Sequence, residues 1–523
     1  MKFSQKKLPL LPLILMTVPL ACKNQVPDDS DLQSLTAQNS IPATTAFKST
    51  AGITEKCQIL PQMPGGDYSK EDLEDEKEFC AINFYAPDIG LCPKTVSTSP
   101  GTFVFKIAKP ALTQSTFEAT NCKDVHSFDS DTAEKLAAFK QTMNAQSTSG
   151  TFSTSSLLYY HFSRYIGATV KVPVSVYREM DKNAHFNRVT KLGQAQTSKG
   201  MIAAGWDVLA KAEVTPDSYG PTFELFTADK SKIYGILLRA GGERYGIEIN
   251  GIRSGWGVAD SEDFQRTPAY EALKRNEAIK PSIANGKANY GTAVAALKQR
   301  DPASAKALDA LNLRVKTMPN EQMAFWMTEL SEIVLFDYIF SQQDRIGNID
   351  YVWEWTYKEN DPAKNQMVVK HKKIDRKFKD APGSQYDVLS KTPPAEIAAL
   401  KPILLQRTIL GDNDAGGRYQ YSNFAKRTKM LENLRHFNGK SYSKILALNS
   451  DLQKKGAIYQ YLVKNFPLSE ADQVKQIIDN TKLASDILRA SCRAGSLQLD
   501  LSPKEFFLTG DVKPAFNCDG AAL

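Results

Sequence analysis

The sequence lacks the short signatures of several enzyme classes, and each absence narrows the field. No C-x-x-C occurs among its seven cysteines, so a thiol redox centre or a zinc site has no footing. Five histidines (His126, His161, His185, His371 and His436) are scattered over 523 residues without metal-ligand spacing. No G-x-S-x-G is present, which excludes a serine hydrolase of the nucleophile-elbow type. There is no internal repeat of the kind that builds solenoids. Beyond residue 22 no apolar run approaches the length that spans a membrane. Strong charge of one sign is also missing: 65 basic residues stand against 58 acidic ones, a net of +7. Lys2, Lys6 and Lys7 fall in a segment expected to be removed, and the remainder is too weakly basic to imply a nucleic-acid partner.

The N-terminus is informative. Lys2, Lys6 and Lys7 form a basic region, Leu8 to Leu20 is an apolar core interrupted by prolines, and Ala21-Cys22 closes it. This resembles a bacterial lipoprotein signal over residues 1–22, which implies acylation of Cys22 and attachment to an envelope membrane through the lipid. Residues 23–50 are rich in Ser, Thr, Gln, Asn and Ala and read as a flexible tether. Setting Cys22 aside leaves six cysteines, an even number: Cys57, Cys80, Cys92, Cys122, Cys492 and Cys518. In an oxidising compartment they read as three disulfides, with Cys492–Cys518 the natural C-terminal pair. The N-terminal four admit three connectivities.

Two regions follow. Residues 51–255 are loop- and strand-rich, with strands expected at Thr102–Ile107, Val170–Tyr177, Thr222–Ala228, Ile233–Arg239 and Tyr245–Ile252, and a hairpin at Gly241-Gly242. An acidic run from Ser69 to Glu78 reads as a solvated helix face, and Leu157–Ile166 as a helix stopped by Gly167. Residues 256–523 are mainly helical. Periodicity is strongest over Glu321–Phe340, and a strand pair lies at Asp350–Tyr357 and Gln366–Lys372.

The stretch Asp344-Arg345-Ile346-Gly347-Asn348 closes that long apolar helix, and Asp412-Asn413-Asp414-Ala415-Gly416-Gly417 lies downstream. Taken alone, the first is a helix end stopped by Gly347. Taken together, an Asp and an Asn in one loop, a strand pair, and an Asp in a glycine-containing turn supply hard oxygen ligands for magnesium and a carboxylate for a hydroxyl. A basic run, Lys370 to Lys373 with Arg376, Lys377 and Lys379, reads as a solvated hairpin or as a contact for phosphate or an acidic substrate.

Phe336-Asp337-Tyr338-Ile339 with Asp344-Arg345 resembles the catalytic loop of atypical kinases of the secreted Golgi casein-kinase and four-jointed, HipA and phosphatidylinositol-kinase types. Asp412-Asn413 resembles their metal turn, with Asp414 where glycine often stands. The helix before Gly167 and the strand Lys171-Val172-Pro173-Val174 resemble the segment that follows their nucleotide lysine. The resemblance implies a two-lobed α+β kinase-like fold with a β-rich N-lobe and a mostly helical C-lobe. It implies ATP or another nucleotide with Mg²⁺ or Mn²⁺ as cofactor, and a protein or glycan hydroxyl as acceptor. Asp344 would orient that hydroxyl and Arg345 would support the loop. Asn348, Asp412 and Asp414 would hold the metal, and Lys106 would meet the phosphates. In these families a glutamate pairs with the lysine. It would fall near Ser156, where there is none, leaving Glu118 or Glu134 for that role. Two other readings stand beside this one: a non-catalytic, pseudokinase-like envelope lipoprotein that binds a protein or glycan, and a metal-dependent hydrolase built on Asp344, Asp412 and Asp414.

Overall fold

β-Branched and aromatic segments of the first half assemble into one antiparallel sheet. The computed structural model describes residues 43–123, 131–239, 241–242, 246–251, 253–254, 258–259, 264–362, 365–374, 388–418 and 421–523. Cys22, the expected signal and most of the expected tether lie outside these, as do His126, Arg376, Lys377 and Lys379. The strands are β1 (Ala43–Lys48), β2 (Thr54–Ile59), β3 (Ile89–Pro93), β4 (Thr102–Ile107), β5 (Ala133–Gln141), β6 (Ser175–Asp181) and β7 (Lys232–Leu238). Their order across the sheet is β1-β2-β6-β7-β5-β4-β3. β1 therefore takes in residues 43–48 of the segment expected to be tether.

At the centre of the sheet β5 and β7 approach closely. A Cβ on Gly235 would lie 2.2 Å from the carbonyl oxygen of Lys140, so glycine is required there. The disulfide connectivity left open by the sequence is Cys57–Cys80, Cys92–Cys122 and Cys492–Cys518. The first ties β2 to helix α1 (Lys70–Ala81), and the second ties β3 to the turn after helix α2 (Gln114–Thr120). Three bridges of this kind belong to an oxidising compartment.

Two expected strands take other forms. Residues 222–224 make a 3₁₀ turn, with only a bridge between Phe226 and Ile233, and Ile247–Asn250 make a helical turn. Short apolar runs suit either geometry, and here Pro221 and Gly246 set the helical one. The expected Gly241-Gly242 hairpin falls largely outside the described residues, which omit 240 and 243–245. Gly242, at φ +108°, lies against residues 350–351, where a Cβ would meet the Tyr351 carbonyl at 2.9 Å.

Helix α3 (Thr154–Ile166) is buried along nearly its whole length and ends on Gly167 in the left-handed conformation. Helix α4 (Gly200–Val214) completes the N-terminal half. The C-terminal half is helical, with α5 (Ile279–Arg300), α6 (Ala305–Thr317), α7 (Asn320–Ile339), α8 (Gly439–Gln453), α9 (Ala457–Asn465), α10 (Lys475–Arg493) and α11 (Pro503–Thr509). α7 is the central rod, with every residue from Gln322 to Ile339 buried. A helix buried on all sides belongs inside a domain, and the acids it carries there are held by partners. After the short pair β8 (Arg253–Ser254) and β9 (Val258–Ala259), a three-stranded sheet lies beside α7, with β10 (Ile349–Asp361) flanked by β11 (Gln366–Lys373) and β12 (Ile403–Leu410).

The two halves are joined by the segment 169–172. Lys171 N–H donates to the Thr408 carbonyl (3.1 Å), and Leu410 N–H donates back to the Lys171 carbonyl (2.8 Å). Glu332 of α7 accepts from the backbone N–H groups of Thr169 (2.8 Å) and Val170 (2.9 Å). The division into a β-rich N-terminal part and a mostly helical C-terminal part is that of a two-lobed α+β fold. No helix among the described residues is long and apolar enough to cross a membrane.

Candidate functional site

The turn after β12 is shaped from below by a buried arginine. Arg345, in the loop beyond the end of α7 at Ile339, forms an ion pair with Asp337 of that helix, at 2.9 Å between Nε and Oδ2. Tyr159 of α3 donates its hydroxyl to the same carboxylate at 2.8 Å. Arg345 then donates to the Gly411 carbonyl (2.6 Å) and to Asn413 Oδ1 (2.9 Å). Asn413 donates to the Leu410 carbonyl at 2.7 Å, so its amide holds the turn from within. Asp412 sits at φ +47°, a left-handed conformation that Asp tolerates better than most residues. The Asp414 carbonyl accepts from Phe152 N–H at 2.6 Å, which brings the start of α3 onto the turn. Arg345 thus holds the turn from a buried position.

The lysine of the site is Lys140, at the end of β5. Its Nζ lies 2.9 Å from Asp412 Oδ1 and 3.0 Å from Asp414 Oδ1. The three side chains are 13%, 23% and 6% exposed, respectively. Burial alone lowers a lysine's pKa, but here the paired carboxylates of Asp414 and Asp412 outweigh it and raise that of Lys140. The N-terminal sheet and the acidic turn therefore meet through one cation and two anions. Asp350 at the start of β10 is also close, because a Cβ on Gly411 would come within 3.0 Å of its Oδ2.

Lys106 does not take this place. It is exposed on β4 and pairs in register with Glu134 on β5, six residues before Lys140. At a rise of about 3.3 Å per residue that separates the two positions by roughly 20 Å along the strand. The sequences Phe103-Val104-Phe105-Lys106 and Ala137-Ala138-Phe139-Lys140 are alike in pattern. The one signal that favours the second is its position immediately ahead of the loop into α3. Neither Glu118 nor Glu134 reaches Lys140. Glu118 is held by Arg188 (2.5 Å) and by Leu91 N–H (2.9 Å), and Glu134 faces Lys106. Helix α3 contains no acidic residue, and its Ser155 packs against Gly416 and Gly417, where a Cβ would meet Ser155 Oγ at 3.3 and 3.2 Å.

The expected loop residues are divided. Asp344 is exposed, its N–H donating to Gln342 Oε1 at 3.0 Å. Asn348 spends its amide on the Asp344 carbonyl at 2.8 Å and bonds within its own turn rather than to Asp412 or Asp414. Gln342 reaches the Asp412 carbonyl at 3.3 Å, so the 342–348 segment and the acidic turn are neighbours. Among the described residues no group of three His, Cys, Asp or Glu side chains is placed to hold a metal. Asp412 and Asp414 do offer the hard oxygen atoms that Mg²⁺ or Mn²⁺ prefers, with Lys140 standing where such a cation would bind. The described part of the basic run, Lys370 to Lys373, does not belong here. Lys372 on edge strand β11 is opposite Trp355, while the site end of β10 is Ile349, opposite Leu410. That places Lys372 roughly 20 Å away along β10.

No protein-family model matches the chain, and no curated protein sequence does. Among solved structures the chain is similar to the crystal structure of the Golgi casein kinase, at a TM-score of 0.36 and 11% identity over 90% of this chain and 89% of that one. At that score the functional reading rests on the residues themselves.

Proposed function

We propose that the chain is an exported kinase-like phosphotransferase that moves a phosphoryl group from ATP or another nucleotide to a protein or glycan hydroxyl. One observation carries this reading: Lys140 of the N-terminal sheet meets Asp412 and Asp414 of the turn after β12. A lysine on one element facing two carboxylates on another is the minimum needed to grip phosphate and a divalent cation together. In this reading Lys140 holds the phosphates, Asp412 and Asp414 hold Mg²⁺ or Mn²⁺, and the exposed Asp344 orients the acceptor hydroxyl. Asn348 would need to turn its amide away from the Asp344 carbonyl to serve as a ligand. The metal supplies charge neutralisation for the transferred group, and the chain supplies position. Cys22 anchors the protein to an envelope membrane, and the three disulfides fit that exported setting. Calorimetry with ATP and Mg²⁺ or Mn²⁺, on wild type and Asp412→Ala, tests the reading. Binding that the substitution removes is expected, and no binding of any nucleotide to wild type would sink it.

A second reading, a non-catalytic scaffold that binds a protein or glycan, is favoured by the absence of any acid on α3 and by the engaged amide of Asn348. It expects Asp344→Asn and Asp412→Ala to leave cellular function intact.

A further inference from the structure

We propose that Lys140 is a built-in counter-ion which keeps divalent cations out of the Asp412–Asp414 pair until a phosphate-bearing ligand arrives. The inference rests on the nucleotide-site reading above. The ammonium bridges one oxygen of each carboxylate at 2.9 and 3.0 Å. A cation binding between those oxygens must first displace it. Once displaced, the ammonium needs another acceptor, because a largely buried charge left unpaired is costly. In a kinase-like site the usual alternative is a carboxylate on the helix that follows the lysine strand. Here that helix reads Thr-Ser-Ser-Leu-Leu-Tyr-Tyr-His-Phe-Ser-Arg-Tyr-Ile, with no acid at any turn. The two glutamates nearest in sequence are committed elsewhere, Glu118 to Arg188 and Glu134 opposite Lys106.

A phosphate is the ligand that resolves this. Its oxygens accept Lys140 at the moment the carboxylates release it, so the cation and the phosphate enter as a unit. Metal and nucleotide affinities are therefore coupled, each raising the other by the same factor. A divalent cation on its own meets a site where the Lys140 ammonium already bridges both carboxylates, and binds weakly.

Mn²⁺ serves as the probe, titrated by calorimetry into the full-length protein with its disulfides intact. Wild type is compared with Lys140→Gln and Lys140→Arg, each checked for an unchanged far-UV spectrum. Lys140→Gln frees the carboxylates and is expected to bind Mn²⁺ at least tenfold more tightly than wild type without nucleotide. Lys140→Arg keeps the charge and is expected to bind it as weakly as wild type. Equal Mn²⁺ affinity in wild type and folded Lys140→Gln overturns the proposal. Should the glutamine variant not fold, wild type decides alone, through its melting temperature with Mn²⁺, with ADP, and with both. A shift from Mn²⁺ alone as large as that with ADP present overturns the proposal, and a shift only with both supports it. A tight Mn²⁺ site in Lys140→Gln with no ADP binding in any variant supports the counter-ion role while sinking the nucleotide reading, so the two failures are distinct.

Discussion

Arg345 and Asp337 form a buried ion pair, with Nε 2.9 Å from Oδ2 and side chains 1% and 2% exposed. The pair lies eight residues apart in sequence across the end of α7, and Tyr159 completes it from α3. It links the loop 344–348 to the acidic turn 411–414 through the Gly411 carbonyl and Asn413. The placement of Asp412 and Asp414 therefore depends on a contact one layer beneath them.

Arg345→Met is expected to leave the Asp337 carboxylate buried without a countercharge. Breaking a buried pair from one side costs about 3–5 kcal/mol. Urea unfolding of the variant should show a lower midpoint with an unchanged slope, equivalent to a stability loss of that size. Arg345→Met combined with Asp337→Leu should recover much of it, because both charges are then gone. If the double variant is as unstable as the single one, the burial argument is wrong.

The two candidate lysines separate cleanly. Lys140→Met is expected to abolish nucleotide binding, because Lys140 bridges the sheet to both Asp412 and Asp414. Lys106→Met is expected to change neither nucleotide affinity nor stability by more than about 0.5 kcal/mol, as for an ordinary surface site. Fluorescence titration with a nucleotide analogue on both variants distinguishes them, and loss of binding in Lys106→Met would refute the assignment.

Much of the architecture was legible because it rests on local signals. The end of α3 at Gly167, the apolar run of α7, the strand pair at 350–372 and the C-terminal disulfide each follow from residues close in sequence. The site lysine was not legible, because two strands carry the same aromatic-lysine ending and only long-range pairing tells which one abuts the acidic turn. The acidic run 69–78 reads as a solvated helix face for a similar reason. Asp72 and Glu76 are in fact buried, Asp72 paired with Arg164 and Glu76 accepting from the Tyr160 hydroxyl, both on α3. A charge whose partner lies more than eighty residues away leaves no trace in its own neighbourhood.

Gly235→Ala is expected to damage the site without touching it. The new Cβ would lie 2.2 Å from the Lys140 carbonyl oxygen and 2.7 Å from its carbonyl carbon, both of them backbone atoms that cannot turn aside. β5 must shift where it presents Lys140. Overpacking of this kind costs about 1–3 kcal/mol, so a lower melting temperature should accompany a weaker nucleotide affinity. Unchanged affinity in a destabilised variant would mean that the position of Lys140 is set by the acidic turn and not by β7.

Glu332 gives a dependence on pH at the junction of the two halves. Burial raises its carboxyl from an ordinary 4.5 to about 8, against the pull of the Val170 and Thr169 N–H groups it accepts from. A group that holds its proton more tightly when folded stabilises the fold at acidic pH. Its contribution is complete below about 4.5 and is lost as the pH rises through about 8. Glu332→Gln keeps an acceptor oxygen for the two N–H groups and removes the proton equilibrium. The variant should therefore match wild type near pH 5 and be more stable than wild type near pH 9, by up to a few kcal/mol. Thermal unfolding at both pH values checks this. A Glu332→Gln protein less stable than wild type at the alkaline end would show that the ionised carboxylate is the form that docks residues 169–170 onto α7.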